Sequence, residues 1–200
     1  MANSTATFGF RHIGYLGGGA PDYQITTRAL QSTNATTIGR GDPVVKANAT
    51  SNYVIRAVGT TVVTTPIVGI FDGCMYTPSG QALTWSPYWP GASAVDATAY
   101  IIDAPNALFL VATTLTAIAT GAIGQCAAFT GGAPATTGGG FSSATLDAAT
   151  LGTAGGTTAS FLPFRINSMY QGVGNGSDPT TNYNWVVVSF NFEAQRALNV

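Results

Sequence analysis

The sequence predicts an all-β protein, a single β-sandwich or jelly-roll-like barrel. Three observations carry that expectation. Short runs rich in Val, Ile, Tyr, Phe and Trp recur along the chain. Clusters of Gly, Pro, Asn, Asp and Ser separate them, and no segment keeps the spacing of a convincing amphipathic helix. At 200 residues the chain can bury a core without disulfides or metal, and no linker divides it.

Residues 1–24 read as an extended N-terminal arm ahead of a β-domain spanning 25–200. Gly9, Gly14, Gly17, Gly18, Gly19 and Pro21 oppose regular helix there, and Phe8, Phe10, His12, Tyr15 and Tyr23 are interleaved with them. Such an arm either folds back on its own domain or lies on a partner. Strands are then expected near Tyr23–Ala29, Pro43–Ala47, Tyr53–Ala57, Ile67–Tyr76, Ala82–Trp85, Ala99–Ile102, Ala107–Thr116, Gly124–Phe129, Phe164–Tyr170 and Asn184–Phe192. The pair around Tyr100–Ile102 and Leu108–Ala112 is expected at the centre of the domain. The break between them, Asp103-Ala-Pro-Asn106, is a turn signal: Pro105 cannot donate to a ladder, and Asp and Asn hydrogen-bond their own backbone in turns. The stretch Thr130–Gly156 reads as a long loop. Within it only Ser142–Leu151 has helical character, with Leu146 and Leu151 placed to dock one short turn.

The composition is unusual in charge. Charged residues make up 8% of the chain, against about 25% in typical soluble domains. Hydrophobic residues make up 46% and the mean hydropathy is +0.24. The surface must therefore be covered by Thr, Ser, Asn, Gln, Gly and Ala, which suits a protein whose faces are occupied by neighbours. A secreted or thermostable β-protein with a neutral surface is the alternative. A net charge of -1, a single lysine at Lys46 and six scattered arginines argue against nucleic-acid binding, which needs a basic stripe. From Ala104 to Phe129 no residue is charged. Gly121, Gly124, Asn106 and Gln125 interrupt that stretch and Lys/Arg flanks are lacking, so it reads as strands and not as a membrane span. Cys74 and Cys126, each in apolar surroundings, are expected to be buried free thiols. The N-terminus lacks the basic start and apolar run of a signal peptide. The sequons at Asn3, Asn34, Asn48 and Asn175 are accordingly expected to carry no sugar.

Catalytic and metal-binding chemistry finds little to use. Metal sites need clustered His, Cys, Asp or Glu. This chain has one His, one Glu and scattered Asp residues. Asp178 beside Asn175 and Ser177 reads as a plain turn in preference to a calcium loop. A Ser–His–Asp triad would rest on His12, in a segment that offers no rigid support for a base. Gly17-Gly18-Gly19 precedes Ala-Pro-Asp, with no lysine, and is not a phosphate loop. The expectation is a non-enzymatic protein with no cofactor and no metal. Binding character is concentrated in Trp85-Ser-Pro-Tyr-Trp-Pro-Gly91, where a proline-stiffened loop carries two Trp and one Tyr. Three roles stand open for it: a plug at one end of the sandwich, a protein interface, or a platform for stacking sugars.

Several segments, taken in order, resemble a known family. They are Phe8-Gly-Phe-Arg11, Tyr15-Leu-Gly-Gly-Gly-Ala-Pro21, Gly41-Asp-Pro-Val44, Ile67-Val-Gly-Ile-Phe71, Ala99-Tyr-Ile-Ile-Asp-Ala-Pro105 with Leu108-Phe-Leu-Val111, Ser143-Ala-Thr-Leu-Asp147, Leu162-Pro-Phe-Arg-Ile166 and Asn184-Trp-Val-Val-Val188. This pattern is similar to the decoration, or cement, proteins that bind the outer capsid shell of tailed bacteriophages. The resemblance implies a non-enzymatic β-sandwich or jelly-roll-like protein of the virion. It would be bound to the major capsid protein on the outer surface of the capsid, and associated with itself as a homodimer or homotrimer that bridges capsomers. Phe8, Phe10, Arg11, His12 and Tyr15 of the arm and Trp85, Tyr88 and Trp89 of the aromatic loop are the expected contacts. If so, removing residues 1–20 abolishes shell binding and leaves the domain folded. A carbohydrate-binding or adhesin β-domain is the reading from another class.

Overall fold

Two β-layers share the chain, a small closed barrel and an open five-stranded sheet. The computed structural model describes residues 3, 5–22, 25–48, 50–58, 66–91, 94–114, 117–132, 139–152, 162–172, 176 and 178–191, with 94–96 described by their backbone alone. In chain order the strands are β1 (Arg11–Tyr15), β2 (Ile25–Leu30), β3 (Pro43–Lys46), β4 (Tyr53–Arg56), β5 (Ile67–Pro78), β6 (Thr84–Ser86), β7 (Ala94–Ile102), β8 (Ala107–Ala112), β9 (Cys126–Ala127), β10 (Phe129–Thr130), β11 (Thr145–Leu146), β12 (Phe164–Met169) and β13 (Trp185–Phe190). The all-β expectation holds: among the described residues the helical elements are two short 3₁₀ turns, Thr120–Ala122 and Ala148–Thr150.

The barrel closes because β5 is long. β3, β4, β2, β7 and β5 pair in that order, and β3 returns to pair with β5. Over its twelve residues β5 holds β3 through Ile67–Ile70 and β6 through Cys74–Tyr76 on one edge, with β7 on the other. The open sheet has the order β1-β8-β13-β12-β9 and is antiparallel throughout. β10 and β11 form a small separate ribbon.

One wall of the barrel is covered on both faces. Val68, Phe71, Cys74, Ala99 and Ile101 pack with Leu30, Val44, Val54 and Trp89 in the barrel core. Ile67, Ile70 and Ile102 instead pack with Phe109, Val111, Phe164, Ile166, Val188 and Phe190 of the open sheet. This double burial is why Ile67-Val-Gly-Ile-Phe71 is continuously apolar where a half-exposed strand would alternate. Two bulges set its phase. Val44 pairs with Gly69 and Val45 with Ile67, leaving Val68 as the extra residue. Phe71 pairs with Ile101 and Gly73 with Tyr100, leaving Asp72 displaced from the ladder. Gly69 is required by close approach: a Cβ there would lie 2.4 Å from Ile101 Cγ2 and 2.6 Å from the Ile102 carbonyl oxygen.

Tyr100–Ile102 and Leu108–Ala112 do lie in interior strands, β7 between β2 and β5, and β8 between β1 and β13. They belong to different layers. The turn between them is closed by Ala107 N–H donating to the Ala104 carbonyl at 2.9 Å, with Pro105 and Asn106 at its centre. The segment expected as one strand at Gly124–Phe129 is split between β9 and β10. Near residue 148 the expected short turn is present, with Asp147 accepting from Ala149 N at 3.1 Å, Leu146 buried and Leu151 packed on the core. Cys74 and Cys126 are buried and free, and burial pushes the Cys74 thiol up to about 12. Some expected features lie outside the described residues: Tyr23, residues 115–116 and 192 of three strands, 59–65 of a turn, 133–138 and 153–156 of the long loop, and Asn175 and Ser177.

The boundary expected after residue 24 does not set the preceding segment apart. Arg11–Tyr15 is an edge strand of the open sheet, paired with β8 from Arg11↔Leu110 to Tyr15↔Ala107. Phe8 and Phe10 are buried. The Asn3 amide donates to the carbonyls of Asp178 and Asn182, each at 3.0 Å. The physical reason is apolar area. Phe10 stacks on Phe164 at 4.3 Å between centroids, and leaving such a ring in water costs about 1.5–3 kcal/mol.

Candidate interaction surface

Three stretches of backbone cross where the N-terminal segment enters the fold. Phe10 N–H donates to the Gly41 carbonyl at 3.0 Å, Arg40 N–H to Gly140 at 2.8 Å, and Ser142 N–H to Arg40 at 2.9 Å. Glycine permits the crossing: with φ at +69° and +92°, Gly9 and Gly41 adopt conformations side chains avoid. A Cβ on Gly9 would meet Ser142 Cβ at 2.8 Å. Beneath the crossing lies Asp42, fully buried. Its carboxyl accepts from Gly39 N–H at 2.7 Å and from the Ser142 hydroxyl. Burial pushes it up to about 6, against the pull of those two donors.

Beside the crossing opens a cleft of about 270 Å³. Phe10, Ile70 and Ile102 contribute apolar surface, and Phe8, Arg11, His12, Arg40, Asp72 and Phe141 supply the remaining walls. The bulge in β5 turns Asp72 toward Arg40, whose Nε donates to Asp72 Oδ1 at 2.7 Å. Arg11 is held differently. Its guanidinium carbon lies 4.8 Å from the Phe8 centroid and 5.6 Å from that of Phe141, and no carboxylate among the described residues pairs with it. His12 Nε2 lies 3.1 Å from the Gly14 carbonyl oxygen. Burial holds its pKa below the usual imidazole value, so the ring is neutral at pH 7.

The aromatic loop divides into three roles. Trp89 is 0% exposed; its Nε1–H donates to the Asn34 carbonyl at 3.1 Å and its ring meets Tyr76 edge-on at 5.6 Å. It is the barrel plug. Tyr88 covers Gly140, where an added Cβ would lie 2.6 Å from the ring. Trp85 remains 53% exposed, and its indole lies against Gly73, whose Cβ position is 3.1 Å from Cζ2.

The fold thereby brings Arg11, Tyr88 and Trp85 onto one face, with His12 in the adjoining cleft, half of the eight expected contact residues. Trp85 rests on Gly73, Gly73 follows Asp72, Asp72 holds Arg40, and Arg40 bonds to Gly140 beneath Tyr88. Phe141, the next residue, lies against Arg11. Phe10 and Trp89 are core residues, and Phe8 is buried edge-on against Trp185 at 4.9 Å. Tyr15, bonded to the Asp22 carboxylate, stands at the far end of β1 from Arg11. The residues missed were Arg40, Asp72 and Phe141. Faint signals existed: an arginine flanked by two glycines, a lone charge inside an apolar run, and an aromatic directly after Gly138-Gly139-Gly140.

Among the described residues no group of three or more His, Cys, Asp or Glu converges, and no helix is long and apolar enough to cross a membrane. The fold is that of an all-β protein, a closed barrel packed on an open sheet. No protein-family model, no curated protein and no solved structure matches the chain.

Proposed function

We propose that this chain is a non-enzymatic structural protein of a phage virion, one that decorates the outer capsid shell and bridges neighbouring capsomers of the major capsid protein. In this reading it associates with further copies of itself as a dimer or trimer, and uses no cofactor, nucleic acid or membrane. The observation that carries the reading is the continuous face from Trp85 through Tyr88 and Phe141 to Arg11, on a chain with 8% charged residues. Exposed aromatics and an arginine are the residue types that anchor interfaces. Neutral Thr, Asn and Gly surroundings pack against a partner without stripping water from unpaired charges, which would cost several kcal/mol each. Many copies bound at once add avidity, so each contact need only be modest.

Cryo-electron microscopy of the virions that contain this protein tests the reading. The expected result is ordered density between capsomers on the outer shell, with the Trp85–Arg11 face against a neighbour. Density at the tail tip, or none, overturns it. One observation favours the adhesin reading instead: an exposed indole backed by a glycine is a geometry that also stacks sugar rings. Glycan binding by the isolated protein, abolished by Trp85→Ala, would establish it.

A further inference from the structure

We propose that the cleft beside Arg11 receives a single carboxylate side chain, an aspartate or glutamate projecting from the polypeptide surface on which this protein sits. The identity of that surface rests on the capsid reading; the chemistry of the cleft does not. The Phe8 and Phe141 rings lie within cation–π distance of the Arg11 guanidinium. Such packing satisfies the face of the cation and leaves its in-plane N–H donors for a planar oxyanion. No carboxylate of the described residues takes them up.

Charge decides which anion fits. Asp72 occupies Arg40 Nε at 2.7 Å and neutralises that wall. With His12 neutral at pH 7, the described side chains that line the cleft sum to one positive charge, from Arg11. That balance matches a monovalent carboxylate and disfavours a phosphate dianion, which would face Asp72. Size and polarity agree. At about 270 Å³ the cleft is below the range of about 300–1,000 Å³ that takes drug-sized ligands, and suits one side chain. Phe10, Ile70 and Ile102 are placed to meet the methylene stem of the entering residue.

The test uses the full ¹⁵N-labelled chain, titrated at constant ionic strength with N-acetylglutamate α-amide, with the neutral isostere N-acetylglutamine α-amide, and with sodium sulfate. The glutamate compound is expected to shift the Arg11 Nε–H and the amides of Gly41 and Phe141 saturably, while the glutamine compound leaves them in place. Arg11→Gln removes an exposed charge and is expected to weaken binding about tenfold to a hundredfold. Arg11→Lys keeps the charge without the planar fork and is expected to fall between. If Arg11→Gln does not fold, the lysine variant carries the comparison, and wild-type affinity in it overturns the proposal. Equal response to the two amides, equal or tighter binding of sulfate, or undiminished binding by Arg11→Gln also overturns it. Carboxylate binding by a protein absent from capsid shells removes the capsid reading and leaves the cleft chemistry standing. Shell decoration unaffected by Arg11→Gln does the reverse.

Discussion

Asp42 shows how a single side chain can tie distant segments together and make stability depend on pH. It links the Gly39 amide to the Ser142 hydroxyl, 100 residues away in sequence. Its carboxyl stays protonated up to about pH 6 in the fold, whereas an unfolded aspartate releases its proton near 3.9. The folded state therefore holds the proton more tightly. The resulting stabilisation is complete below about pH 4 and is lost as the pH rises through about 6, on the order of 2–3 kcal/mol. Asp42→Asn cannot titrate. Its thermal midpoint, followed by circular dichroism from pH 4 to 7, should fall less with rising pH than that of the unmodified chain; parallel profiles would refute the assignment. The two tryptophans of the aromatic loop make a second residue-scale contrast. Trp89→Ala opens a cavity and is expected to cost about 3–5 kcal/mol. Trp85→Ala, at an exposed site, should stay within about 1 kcal/mol. Urea midpoints distinguish them, and equal losses would contradict the division into plug and exposed anchor.

At the scale of elements, β5 does most to build the molecule. It closes the barrel, presents one face to each core, and displaces Asp72 into the cleft through a bulge. The tightest point on it is Gly69, pressed against the end of β7. Gly69→Ala places a methyl group where Ile101 and the Ile102 carbonyl already stand, and is expected to cost about 1–3 kcal/mol as overpacking. The unfolding midpoint reads this directly, and an unchanged value would mean that β7 can retreat. β1 has a different task. It is the edge of the open sheet, and its own bulge at Ile13, between His12↔Phe109 and Gly14↔Leu108, interrupts the regular edge that would otherwise recruit another strand. Under the capsid reading, contact is therefore expected through side chains of this face and not through strand addition at β1.

For the whole molecule, the N-terminal segment is part of the folded unit. Removing residues 1–20 deletes β1 together with Phe8 and Phe10, and bares Phe164 and the outer edge of β8. Two buried aromatic rings contribute about 3–6 kcal/mol, against a total stability of about 5–15 kcal/mol for an ordinary domain. The truncated chain is expected to lose cooperative thermal unfolding and to bind a hydrophobic dye. A midpoint equal to that of the full chain would show the segment to be separable after all. In a truncated chain that unfolds, loss of partner binding reports the unfolding, so Arg11→Gln is the sharper probe of contact.

The sequence by itself determined the all-β class, the approximate positions of most strands but not of β1 or β11, the turn at Pro105 and the burial of both cysteines. Those features follow from local rules, side-chain period, Gly and Pro stereochemistry, and the apolar character of short runs. Tertiary structure alone decided that β7 and β8 lie in different layers, because turn chemistry specifies a reversal and not a pairing partner. It decided that Phe10 and Trp89 are core while Trp85 is exposed, because an aromatic ring suits an interior and an interface equally and only its neighbours distinguish the two. It also made the cleft, since Arg11, Arg40, Asp72 and Phe141 are far apart along the chain and meet only where backbone crossings and a bulge bring them together.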